Sequence, residues 1–165
     1  MAVDLRWEKR TFEELTLRHL YAIMAARAAV FVVEQRCAFQ ELDGLDAHSH
    51  HLTAWLDDGE IAAYLRVVPP GRKYHEPSLG RVMTSARARG MGVGKALMER
   101  GIAYANALYP DEKLRIGAQA YLEAFYCGFG FVKASPIYLE DEIEHIEMLR
   151  PRSERGRLNA PIPTD

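Results

Sequence analysis

Arg89-Gly90-Met91-Gly92-Val93-Gly94-Lys95 stands between a short apolar run, Gly80-Arg81-Val82-Met83-Thr84, and a helical pattern that begins at about Gly92. Three alternating glycines remove every second side chain, so backbone N–H groups can approach a ligand closely. At the mouth of a helix those amides join the positive end of the dipole and make an anion site suited to a phosphate or pyrophosphate. Arg89 and Lys95 add charge. Two familiar phosphate loops fail here. A Walker A loop needs GxxxxGK[ST], and around Gly94-Lys95 its first position is Arg89 and its last is Ala96. A GxGxxG fingerprint started at Gly90 ends on Lys95, and started at Gly92 it ends on Leu97. The pattern that fits is R-x-x-G-x-G, carried by Arg89, Gly92 and Gly94.

Outward from the loop, Val93, Leu97, Gly101, Tyr104 and Leu108 mark one face of a helix that Tyr109-Pro110-Asp111 ends. Upstream, His51 to Leu56 and Glu60 to Val68 read as strands joined by the turn Asp57-Asp58-Gly59. Gly80 to Thr84 reads as the next strand. Further upstream, Leu5 to Trp7 reads as a first strand and Thr11 as a cap. One helix is expected from there to about Val33, followed by a polar loop over 36–50. Downstream, Lys113 to Ala118 is a strand, Leu122 to Cys127 a short helix, and Phe129 to Val132 re-enters the sheet. Ile137 to Leu139 and His145 to Leu149 close the pattern. The order predicts one α/β (α+β) domain over 1–150, a mostly antiparallel central sheet flanked by helices. Residues 151–165 have little apolar content and are expected to form a mobile tail.

The stretch Val82 to Met98 resembles the coenzyme A motif of the GNAT acetyltransferase superfamily. Ala124-Phe125-Tyr126-Cys127-Gly128-Phe129-Gly130-Phe131 resembles its second signature, FYxxxGF. Both occur in the family's order and at its separation. Shorter matches at 29–35, Asp43-Gly44, Leu79 to Val82, Gly117 to Ala120, Glu140-Asp141 and His145-Ile146 are similar to the ElaA branch. The resemblance implies the GNAT fold and transfer of an acetyl group from acetyl-CoA to an amine, by direct attack in a ternary complex. It implies that Val82, Met83 and Thr84 offer strand backbone to the pantetheine arm and the acetyl carbonyl. It implies that Arg89, Gly90, Met91, Gly92, Val93, Gly94 and Lys95 hold the pyrophosphate. Tyr126 becomes the acid that protonates the departing thiolate. Arg81, Arg87 and Arg89 are assigned to the cofactor's phosphates. The rival reading keeps the fold as a non-catalytic coenzyme A-binding regulator or sensor.

Composition narrows the class. The chain has 165 residues, 48% hydrophobic and 27% charged, with a formal net charge of -2, an ordinary globular profile. That charge offers no electropositive footprint for nucleic acid. No apolar run reaches membrane-spanning length and the charged N-terminus lacks a signal-peptide core, so a cytoplasmic domain without a membrane partner is expected. Cys37 and Cys127 lack CxxC spacing and read as reduced, with Cys127 a small core residue.

An ammonium acceptor must lose a proton before it can attack. Glu34, His50 and His51 are the candidates for that base, and no motif separates them. Glu34, Glu41, Asp43 and Asp46 in one loop, and Glu140 to Glu147 in another, suggest either a negative mouth for a cationic small-molecule or peptide amine or two solvated acidic loops. His48-Ser49-His50-His51 lacks the spacing and closed ligand set of a zinc site, so no metal is expected. A homodimer is left open.

Overall fold

Alternation of buried and open side chains sets the outer part of the sheet. In β5 (Leu114–Gln119) Leu114, Ile116 and Ala118 are buried, and Arg115, Gly117 and Gln119 point the other way. Its antiparallel neighbour β8 (Ile143–Arg150) repeats this with Ile146 and Met148 buried. A period of two gives one face to the core and leaves the other for solvent or a ligand. By contrast, β3 (Ile61–Val68) is buried at every position, as a strand covered on both faces must be. The structure, a computed structural model, describes residues 4–152. Apart from Pro151 and Arg152, the tail expected at 151–165 lies outside the described residues.

The strands are β1 (Arg6–Thr11), β2 (His50–Trp55), β3, β4 (Ser78–Thr84), β5, β6 (Val132–Lys133), β7 (Tyr138–Glu140) and β8. They form one sheet in the order β1-β2-β3-β4-β5-β8-β6, with β7 also paired to β8. Every neighbouring pair is antiparallel except β4 and β5, which are parallel. Among the described residues three α-helices cover it: α1 (Leu17–Arg27), α2 (Val93–Leu108) and α3 (Glu123–Cys127). On one face Leu97, Met98, Ile102 and Ala105 of α2 share a core with Leu65, Val67, Ile116 and Met148, and Tyr126 and Phe131 join it. Gly101 lets α2 approach the sheet, since a Cβ there would lie 2.4 Å from Leu65 Cδ2. On the other face Ile23 of α1 packs with Trp55, Ile61, Tyr64 and Met83.

The departures from expectation have local causes. Thr11 does not cap a helix; it is the last residue of β1, paired with His50. The cap is Thr16, whose Oγ1 accepts the His19 N–H at 3.1 Å. The single helix expected to Val33 is α-helical only to Arg27 and continues as a π-helix over Ala28–Glu34. The change falls at Arg27, whose fully buried guanidinium is gripped by Glu41 and Asp46. Leu17 and Tyr21, expected on the apolar face, are exposed. Phe129 to Phe131 turn through Gly130 at φ 89°, so only Val132 and Lys133 pair in the sheet. Cys127 is exposed and both cysteines are free.

Candidate active site

The site originates in a failure of pairing. β4 and β5 meet only at Ser78 and Arg115, where the Arg115 N–H also donates to the Pro77 carbonyl at 3.1 Å. Beyond that point the strands part, and from Gly80 onward the β5-facing edge of β4 has no ladder partner. A bulge adds to this: Tyr64 pairs with Met83 but Arg66 with Gly80, leaving one extra residue on β4. Arg81 carries it in a left-handed conformation, φ 52°. Such a bulge ends regular pairing and re-aims neighbouring groups. The split opens into a cavity of about 840 Å³. Val82, Met83 and Thr84 line it from β4, and Gly117 and Gln119 from β5. It runs from the α2–α3 side, where Tyr126 and Leu122 stand, to the α1 side, where Phe31, Glu34 and His145 stand.

The glycine loop leads away from the cavity at the Thr84 end. Gly90 and Gly92 adopt left-handed backbone, φ 77° and 73°, and a Cβ on either would meet nothing within 4 Å. Gly92 is the N-cap of α2 and offers no side-chain cap, so the first-turn amides of α2 have no acceptor within the helix. Exposed backbone donors beside open space at a sixteen-residue helix start fit a pyrophosphate well. Gly94 has ordinary φ and lies beside Thr84, with its virtual Cβ 3.8 Å from Thr84 Cγ2. Arg89 lines the cavity; residues 90–95 do not, and continue from it as a turn. Met91 and Lys95 are exposed, Val93 is buried in the core, and Lys95 lies 3.9 Å from Glu99. The Arg89 guanidinium holds Glu34 at 2.7 and 3.0 Å and donates to the Thr84 carbonyl at 3.1 Å.

Tyr126 lines the cavity with only 7% of its surface exposed. Phe125 and Phe131 meet its ring edge-on at 5.2 and 6.2 Å. Burial pushes the phenol up to about 12, so it stays protonated through the neutral range. A neutral phenol beside the cavity is a proton donor in waiting.

Two of the arginines assigned to cofactor phosphates are committed elsewhere. Arg87 pairs on the surface with Asp58 and Glu60, at 2.7 and 2.6 Å. Arg81 donates to the Glu41 carboxylate and to its carbonyl, both at 2.9 Å. Glu41, Asp43 and Asp46, expected either at a negative mouth or in a solvated acidic loop, are instead counter-ions in an internal network. Arg27 reaches Glu41 at 2.7 Å and Asp46 at 2.6 Å; Arg66 reaches Asp46 at 3.0 Å and also holds Asp43. Three guanidiniums meet three carboxylates, so the group is close to neutral. Burial opposes both Asp43 and Asp46 as anions, yet the hydrogen bonds and charge of Arg66 hold Asp43 well below the usual carboxylate range, and those of Arg27 and Arg66 lower Asp46. Arg27 and Arg66 were not legible beforehand, because arginines on apolar-spaced positions read as solvated until their partners are seen. Arg66 Nε stays buried with no partner among the described residues.

The base candidates separate. Glu34 is in the cavity but engaged by Arg89. His50 does not line the cavity; it sits edge-on to Tyr104, ring centroids 5.8 Å apart. His51 is buried, its ring nitrogens 2.7 Å from the Tyr64 hydroxyl and 3.0 Å from the Asp46 carbonyl, and it does not line the cavity. Burial lowers its pKa. Among the described residues, no group of three His, Cys, Asp or Glu side chains could hold a metal ion. The histidine missed in the sequence is His145, which lines the α1 side of the cavity with Glu140 and Asp141. Its alternation with Ile146 along β8 was the available signal. Nearby, the Tyr74 and Tyr138 hydroxyls converge over Gly117, where a Cβ would lie 2.8 and 3.3 Å from them.

Comparison with known proteins agrees with this geometry. A family model described as an acetyltransferase (GNAT) domain matches residues 20–150. The chain is similar to an acyl-CoA N-acyltransferase from Pseudomonas aeruginosa, at 46% identity and TM-score 0.85, over 89% of this chain and 99% of that one. It is similar to Escherichia coli ElaA, at 37% identity and TM-score 0.84, over 89% of this chain and 99% of that one. A UPF0039 protein from Synechocystis is 40% identical over 147 residues, 89% of this chain and 96% of that protein. With the family model matching most of its length and these relatives at 37–46% identity, the chain belongs to the GNAT acetyltransferase family, in its ElaA-like branch.

Proposed function

We propose that this protein moves an acetyl group from acetyl-CoA to an amine by direct attack of the amine on the thioester. The observation that carries the reading is the split between β4 and β5, which joins an anion-binding helix start to a cavity holding the Tyr126 phenol. The first-turn amides of α2, with the left-handed Gly90 and Gly92, take the pyrophosphate. The unpaired edge of Val82, Met83 and Thr84 aligns the pantetheine arm, and a backbone N–H there polarises the acetyl carbonyl. Tyr126 gives its proton to the sulfur as the C–S bond breaks. Its raised pKa keeps that proton in place until a thiolate forms nearby. The acceptor enters from the α1 side, so donor and acceptor approach the split from opposite faces of the sheet.

Cys37 and Cys127 take no part as nucleophiles in this scheme. His51 serves the fold through Tyr64 and Asp46. No described helix is long and apolar enough to cross a membrane.

Calorimetric titration of the purified protein with acetyl-CoA, ATP and NAD in one buffer tests the reading. Acetyl-CoA alone is expected to bind, and Gly92→Val to lose most of that binding. Preference for ATP, or no binding of acetyl-CoA, would overturn the assignment of the loop.

A further inference from the structure

His145 and Glu140 form a second constellation inside the cavity. His145 Nδ1 lies 2.8 Å from the Ile143 carbonyl oxygen. A carbonyl can only accept, so Nδ1 carries the proton and donates it. In the neutral ring the lone pair is therefore on Nε2, and Nε2 lies 3.4 Å from Glu140 Oε2. Two acceptors facing each other repel unless an N–H comes between them or the ring is protonated. An ammonium group supplies what both lack, a positive charge with several N–H donors. The ring is held in place for this: Tyr138 stacks on it at 6.0 Å and 28°. The side chain of His145 is only 12% exposed, against 47% for Glu140, so Glu140 stands toward the entrance and His145 deeper.

We infer that Glu140 and His145 receive the amine of the acceptor, and that His145 Nε2 is the base that deprotonates it. This rests on the acetyltransferase reading above and names its missing base. Glu140 attracts the ammonium and Nε2 takes one proton, giving a neutral amine and an imidazolium that later releases the proton to water. The amine lone pair forms the C–N bond, the C–S bond breaks, and the thiolate takes the Tyr126 proton. The second amine proton, lost as the amide forms, restores the Tyr126 phenol. The sum is one amide, one thiol and one proton released.

Other groups face His145 and bear on its titration. From β7 these are Tyr138 and Glu140; from β8, Glu147, whose carboxylate is tied to Arg115 at 3.1 Å. From the β3–β4 loop they are Tyr74 and Lys73, the latter in electrostatic reach of Glu140. From β5 the facing residue is Gln119, opposite His145 in the ladder and uncharged.

The test uses the full-length protein labelled with ¹⁵N in its histidine rings, saturated with coenzyme A and titrated with methylamine. The expected result is a Nδ1–H tautomer for His145, a methylamine-dependent shift of its Nε2 signal, and at least a tenfold weaker response in Glu140→Gln. In thiol-release kinetics with methylamine, His145→Gln is expected to lose about a hundredfold or more in kcat/KM, together with the acidic limb of the pH profile. A Nε2–H tautomer, an unmoved His145 signal, or a retained acidic limb in His145→Gln would overturn the proposal. Calorimetry of acetyl-CoA on the same variant is expected to match the wild type. Failure of acetyl-CoA to bind the wild type would instead overturn the acetyltransferase reading, so the two failures are distinguishable.

Discussion

Glu34 and Arg89 are joined by a two-pronged ion pair, with contacts of 2.7 and 3.0 Å, across 55 residues of sequence. The pair ties the end of the π-helix to the start of the glycine loop. Both side chains are about half exposed, so the pair is worth only about 0.2–1 kcal/mol to the fold. Its larger effect is local: a carboxylate sits beside an intended anion site and occupies the one arginine of the R-x-x-G-x-G pattern. Glu34→Gln is therefore predicted to tighten acetyl-CoA about two- to fivefold, the energy of one exposed pair. Arg89→Ala is predicted to weaken it and to flatten its salt dependence. Titrations at two ionic strengths check both signs.

Gly92 and Gly94 look equivalent in sequence and are not equivalent in the fold. Gly92 has φ 73° and Gly94 does not lie in the left-handed region. Gly92→Ala is predicted to cost about 1–2 kcal/mol of stability from backbone strain alone, since its Cβ would meet no atom. Gly94→Ala should be tolerated by the fold. Gly101→Ala should cost about 1–3 kcal/mol, because its Cβ would collide with the buried Leu65. Denaturant melts of the three variants rank them.

The glycine loop and the aromatic segment were legible because each couples residue identity to a local backbone need. Alternating glycines permit left-handed turns, and Phe125-Tyr126 with Phe131 pack at fixed separations. The strands over 113–118 and 145–149 were legible as extended segments, and both alternate buried with open positions. Less so was anything decided by tertiary pairing. Thr11 and Thr16 are both followed by helix-compatible residues, and only the pairing of Thr11 with His50 removes it from candidacy. Glu41, Asp43 and Asp46 read as a surface acidic cluster because their arginine partners lie up to 40 residues away. His145 was legible only as a position on the open face of β8, and the alternation of that strand does not show that Glu140 of the adjoining β7 reaches its ring.

Arg27 is fully buried between Glu41 and Asp46, so removing it leaves Arg66 and Arg81, two guanidiniums, facing the three carboxylates Glu41, Asp43 and Asp46. Arg27→Ala is predicted to destabilise by about 3–5 kcal/mol. The double variant Arg27→Met with Asp46→Asn should recover part of that loss, because it leaves Arg66 and Arg81 with Glu41 and Asp43, two charges of each sign. Urea midpoints of the single and double variants decide.

His51 predicts a pH dependence of stability. Burial lowers its pKa in the folded state, so the unfolded chain takes up the proton first as pH falls. The stability from the neutral ring is complete above the unfolded value of about 6.5 and is lost as pH falls below it toward the folded value. Between about pH 7.5 and about pH 5.5 the Tm should fall, and His51→Gln should flatten that part of the curve. The aspartates cannot mimic this, since the unfolded chain takes up their protons only as pH falls toward its own carboxylate value of about 3.9, below this window. A slope unchanged in His51→Gln would show that another group titrates.

Tyr126→Phe keeps the ring in its aromatic nest and removes only the proton. Its acetyl-CoA affinity should stay within about twofold, while kcat falls about a hundred- to ten-thousandfold. Equal losses in both would mean that the phenol binds rather than protonates.

The most direct measurement is coenzyme A thiol release from acetyl-CoA across a panel of primary amines, with the products and the intact protein weighed by mass spectrometry. The account predicts release that depends on the amine, one amide formed per thiol, and no acetyl group left on the protein. Tight acetyl-CoA binding without amine-dependent release, or an acetylated protein that releases thiol before any amine is added, would contradict it.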